Sequence, residues 1–226
     1  MIARISRHAR LANSVQGTRS GFLAVLVAAV CLLFSVSASA ASSKRVEHSI
    51  DVGDLSKIEF DVSVAEMDIE FYDGDTVELD IELRAQRSWW LFGRRDIDDV
   101  ELDIDEDGEV LEIRLDEDNI DQDWRIMIPA HMAFSMELGV GEVDVSGVAN
   151  DFLLEMGVGA AQVSTEDIDF DSVRVSTGVG DSGLRGFGDS TDNERNIVGA
   201  DSYYYGDGEY SIDIELGVGD ARVIRR

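Results

Sequence analysis

The tripeptide Gly-Val-Gly occurs four times, at 139–141, 157–159, 178–180 and 217–219, with a degenerate copy, Ile197-Val198-Gly199, between the last two. The central valines stand at 140, 158, 179, 198 and 218, so the motif returns every 18 to 21 residues. A short period sustained across a chain points to a unit that buries its apolar face by stacking on copies of itself. The unit here is a strand. Apolar residues alternate with polar ones in Ile58, Phe60, Val62 and Val64, in Val77, Leu79, Ile81 and Leu83, in Leu111, Ile113 and Leu115, and in Tyr210, Ile212, Ile214, Leu216 and Val218. A period of two with one apolar face is the signature of a half-buried strand.

The repeat carries a change of phase. Leu138 and Val140 share one face, yet the next apolar pair is Val143 and Val145, so the inward step from Val140 is three residues. The same step joins Val158 to Ala161, Val179 to Ser182, Val218 to Ala221 and, without a glycine, Val64 to Met67. A strand that slips by one residue bulges or turns a corner there, and glycine eases the turn. The corners are assigned to Gly139, Gly141, Gly157, Gly159, Gly178, Gly180, Gly199, Gly217 and Gly219. The expected fold is an all-β, single-domain β-solenoid, β-helix-like, with coils of about 20 residues. A β-sandwich with glycine-rich turns is the alternative.

Residues 1–40 read as a secretory signal peptide. Arg4, Arg7, Arg10 and Arg19 precede an apolar run from Phe22 to Val36, and Ala38-Ser39-Ala40 ends it with small residues. The run is short for a membrane span of about 20 residues. An uncleaved anchor is the alternative. The domain then covers 41–226, with 41–135 as irregular first coils and cap, and 136–226 as the regular repeats. The one cysteine, Cys31, lies in the leader, so no internal disulfide holds the domain. The chain has 47 acidic against 19 basic side chains, a net charge of −28. That field opposes nucleic acid as a partner. Much of the acid is accounted for as the solvent face of strands.

The Ile128-Pro129-Ala130-His131 segment leading into Met136–Val145, the repeated Gly-x-Gly corners and the leader together resemble a bacterial putative-adhesin family of unknown function. The likeness covers roughly residues 46–226, and only Ser176-Thr177-Gly178-Val179-Gly180 keeps the Ser/Thr-Gly-x-Gly form. The resemblance implies a β-solenoid of the cell envelope with no catalytic residues to transfer.

Three stretches invite a site. Trp89, Trp90, Phe92, Arg94 and Arg95 form an apolar segment with a basic rim, fit for docking a partner or for folding over the solenoid end as a cap. Asp103, Asp105 and Asp107 before Gly108 resemble the start of a calcium loop, but Arg114 stands where a bidentate Glu belongs, and a β-turn explains the pattern equally. Gly180-Asp181-Ser182-Gly183 looks like a protease nucleophile signature, while Ser182 also occupies the inward corner position of a repeat. Tyr203-Tyr204-Tyr205 suits either a ladder between coils or glycan stacking. The sequence thus predicts a non-enzymatic, exported structural or adhesin-like interaction module of the periplasm or bacterial cell surface. No cofactor is implied; the partner is an unknown envelope protein or glycan, with weak calcium association at most. The alternatives are a calcium-dependent adhesive module and a polysaccharide-active β-solenoid enzyme, which would need converging carboxylates.

Overall fold

The computed structural model describes residues 43–85, 97–117, 120–188, 191–195 and 199–226. Their regular structure is β throughout, apart from one 3-10 turn at Ile97–Asp99. The strands are β1 Ser43–Asp51, β2 Lys57–Tyr72, β3 Thr76–Ala85, β4 Asp103–Asp107, β5 Val110–Leu115 and β6 Ile120–Pro129. Then follow β7 Ala133–Val148, β8 Phe152–Thr165, β9 Ser172–Val179, β10 Ser182–Arg185, β11 Thr191–Arg195, β12 Ala200–Tyr205 and β13 Ser211–Arg225. All thirteen join one sheet, whose main path runs β1-β3-β6-β2-β7-β8-β13-β9-β12-β11; β5 pairs with β2 and β4, and β10 with β13. They lie within one compact unit, Ala41–Arg226.

The centre of the sheet is a parallel stack in which the repeats align residue for residue. Val64 pairs with Val140, Val140 with Val158, Val158 with Val218 and Val218 with Val179. The order of the copies is not the order of the chain. β13, the last strand, lies between β8 and β9. Gly199 starts no further parallel layer, because β12 follows it and runs antiparallel to β9; the rest of that degenerate copy lies outside the described residues.

Each long strand bends at its repeat. Residues 57–62 of β2 pair with β5, but 66–72 pair with β6. Likewise 211–218 of β13 pair with β9, and 221–224 pair with β10. The bend folds the sheet into two leaves whose inner faces meet. Phe60 on the first leaf meets Trp124 on the second edge-on at 6.3 Å, and Phe71 meets Phe134 at 5.8 Å. One cluster of buried apolar residues runs between the leaves from Val52 to Val223. Burying a Val, Leu, Ile, Phe or Met side chain contributes about 1.5–3 kcal/mol. Burial on this scale lets the domain do without a disulfide.

The bend corrects the inward assignment of the central valines. Leu138 and Val143 are buried, while Val140 between them is 47% exposed. The inside of each corner is crowded by backbone: a Cβ on Gly141 would lie 1.9 Å from the Ala65 carbonyl oxygen. Glycine therefore takes the tight position, and the valine stands on the convex crest.

The irregular first half of the domain is also resolved into pairings. On the second leaf β3 runs antiparallel to both its neighbours, β1 and β6, and β4–β5 form a hairpin turning at Gly108, whose φ is 65°. Pro129 ends β6, where its missing N–H costs little.

Candidate functional site

Along the crest, Val64, Val140, Val158, Val218 and Val179 form one uninterrupted ladder, each between 36% and 49% exposed. At about 4.8 Å per strand the five span about 19 Å. Glycines beside them (Gly139, Gly157, Gly217 and Gly178) carry no side chain, so the valines stand proud of the surface. Isolated surface valines need no explanation, but a contiguous apolar line does.

Acid borders the crest on both sides. On the first leaf Asp61, Glu137, Glu155 and Glu215 are in register on four successive strands. On the second leaf Glu66 pairs with Glu142, and Asp220 stands one strand beyond Ala160. Like charges directly opposite destabilise a sheet. Asp61 stands opposite Arg114 on β5, while the strands flanking Glu137 and Glu155 present acid in the same register. At the other end of the row Arg174 donates to Glu215 at 2.8 Å and lies 3.6 Å from Asp213. Between this row and the crest runs a groove of about 650 Å³, floored by Ser63, Gly139, Gly157 and Gly217.

Asp213 is the strained member of this corner. Its Oδ1 is shut from solvent without a hydrogen bond. Burial pushes its carboxyl above the usual range and Glu215 adds to that, while Arg174 pulls the other way. A folded pKa above the unfolded one means that the associated stability is full below the unfolded pKa and is lost as pH rises through the folded one. Asp213→Asn is therefore expected to melt higher than wild type near pH 7, with the gap closing toward about pH 4. Paired thermal melts across that range check it; an unchanged gap would deny the burial effect.

The residues singled out by sequence fall elsewhere. Trp89, Trp90, Phe92, Arg94 and Arg95 lie outside the described residues. Asp103, Asp105 and Asp107 sit in strand β4, where an extended backbone spreads same-face side chains about 6.7 Å apart. Asp103 accepts from Arg114 at 3.4 Å, and among the described residues no group of three acids or histidines is placed to hold a metal. Ser182 bonds Ser202 at 2.9 Å across the two leaves. Tyr203-Tyr204-Tyr205 is split by alternation: Tyr204 is buried, 5.0 Å from Phe187, and Tyr205 points out. Tyr204 donates to Asp169, which also accepts from the backbone of Asp207 and Phe170, and these bonds hold the Asp169 carboxyl below its usual range. Arg225 stacks over Phe187 and Tyr204, at 5.0 and 5.6 Å from their ring centres. This cluster locks the β12 end of the sheet. Alternation alone places the crest valines inward, whereas the bend turns them out. A signal was there: glycine on both sides of a valine marks the outside of a bend.

No family model matches the chain, and no curated protein matches it. A crystal structure of a putative cell adhesion protein from Clostridium sporogenes is similar over 82% of this chain and 100% of that one, with a TM-score of 0.51 and 14% identity. That likeness is one of fold. Among the described residues, no helix is long and apolar enough to cross a membrane.

Proposed function

We propose that the chain is an exported, non-enzymatic interaction module of the bacterial envelope, adhesin-like in role, that makes its contact through the valine crest. The observation that carries the reading is the five-valine ladder, exposed and in register, between two acidic rows. A monomer gains nothing for its own stability from that arrangement, and sequences depart from local rules mainly where a surface has work to do. The fold-level similarity to a putative cell adhesion protein is compatible with such a role.

The architecture belongs to the same proposal. β7 and β8 are parallel neighbours joined by only residues 149–151. A flat sheet would need a crossover of a dozen or more residues for that pairing. A coil of about 18 residues that bends at the glycines closes it, which supports a short β-solenoid with β13 set between the coils of β8 and β9. The leader 1–40 supports export to the periplasm or cell surface, and the Trp89–Arg95 stretch is a second, sequence-based contact.

The test is saturable binding of the labelled domain, from Ala41 onward, to washed envelopes of the source bacterium. Val140→Ser/Val158→Ser/Val218→Ser is expected to stay cooperatively folded with a modestly lowered melting temperature, because the three side chains are about half exposed, and to lose about tenfold or more in affinity. Equal binding by both proteins would remove the crest from the account.

A further inference from the structure

We infer that the crest takes a basic amphipathic helix, a peptide with an apolar stripe edged by Lys and Arg. The inference rests on the crest being the contact surface and adds the chemistry and conformation of what sits there. The surface has three parallel bands. Apolar Val64, Val140, Val158, Val218 and Val179 run down the middle. Asp61, Glu137, Glu155 and Glu215 run along one side, and Glu66, Glu142 and Asp220 along the other. A basic amphipathic helix carries the complementary three bands, its cationic side chains reaching sideways past the apolar stripe.

Spacing selects a helix over an extended chain. The bands repeat once per strand, at about 4.8 Å. A helix returns to the same face once per turn, every 5.4 Å or so, and so drifts by only about 2.4 Å over the four steps of the ladder. An extended peptide returns to the same face every two residues, about 6.7 Å, and drifts by about 8 Å. The 19 Å ladder corresponds to about 13 helical residues, or three to four turns. The glycines beside the valines leave room for the helix to approach, and the groove floored by Gly139, Gly157 and Gly217 lies where its basic edge would reach the glutamates.

Charge complementarity argues against the other occupants. A second copy would bring two acidic borders together, and an anionic membrane surface would be repelled by both. A neutral glycan has no use for the two acidic rows.

The experiment uses three labelled Leu/Lys peptides of about 14 residues: one with helical period, one of the same composition in strict alternation, and one of lysine alone. Binding to the domain from Ala41 onward is followed by fluorescence anisotropy at two salt concentrations. The helical-period peptide is expected to bind about tenfold tighter than the alternating one. Val140→Ser/Val158→Ser/Val218→Ser should lower its affinity about tenfold, and Glu137→Gln/Glu155→Gln/Glu215→Gln should flatten its salt dependence. Equal binding of all three peptides, indifferent to the serine variant, would mean diffuse charge attraction only and would overturn the inference. So would preference for the alternating peptide, or absence of binding. Should the peptides fail while envelope binding still requires the valines, the helical partner falls and the crest stands. If envelope binding is also indifferent to the valines, both fall.

Discussion

A chain ending at residue 210 is expected to show no cooperative unfolding transition. The missing segment is β13, and it does not sit at the rim of the sheet. It lies between β8 and β9, paired to β8 from Ile212 to Arg225 and to β9 from Ser211 to Val218. Its Ile212, Ile214, Leu216, Ala221 and Val223 are at most 3% exposed. Removing it opens two internal edges, strips β10 of its partner strand and exposes the core between the leaves. The four large apolar side chains lost, at about 1.5–3 kcal/mol each, amount to about 6–12 kcal/mol, comparable to the 5–15 kcal/mol or so that holds a domain together, before the newly opened core of β8 and β9 is counted. Thermal and urea melts followed by circular dichroism check it. A truncated chain that melts sharply would show that the stack closes without its last strand. The same topology makes the centre of the sheet depend on pairings between strands far apart in the chain, which slows folding.

Gly159→Ala is expected to cost roughly 3 kcal/mol or more, although the site is one residue from an exposed valine. Gly159 has φ 153°, and a Cβ there would lie 1.8 Å from the carbonyl oxygen of Gly141 on the neighbouring strand. No rotamer relieves that contact, because both atoms belong to backbone or sit directly on it. The strand would have to move away from β7 and break the register of the stack. For a domain of this size the loss is a fall in melting temperature of roughly 6–12 °C. Val158→Ser beside it is expected to leave the melting temperature nearly unchanged, so the pair separates the corner's structural glycine from its exposed valine. Equal melting of Gly159→Ala and wild type would contradict the close approach of the two strands.

The phase slip was readable because it is local: the inward residues Met67, Val143, Ala161, Ala221 and Ser182 are in register across five strands, as their spacing from the motif implies. The side on which the motif's valine lies was not readable from alternation, because a period of two carries no information at the residue where the period breaks. The order of the copies escaped for a different reason. Four identical tripeptides offer the same pairing to one another, and only flanking residues tell them apart. β13 carries Ile212, Ile214, Leu216 and Val223 and suits the middle of a core. The third copy buries Thr177, whose hydroxyl bonds the Ala200 carbonyl, and aims Ser182 at Ser202; these polar partners suit the end of the stack. The acidic rows were visible as composition, but their alignment into ladders depends on register between strands far apart in sequence.

The crest as a contact surface is most directly tested by methyl NMR of a valine-labelled domain titrated with fragments of the source envelope. Valine methyls report both faces at once. Val64, Val140, Val158, Val179 and Val218 are exposed, whereas Val143, Val163, Val175 and Val223 are buried. The account predicts that the five crest signals shift or broaden together and saturably, ahead of the buried set. Saturable binding that leaves all five unmoved would place the contact elsewhere on the molecule and contradict it.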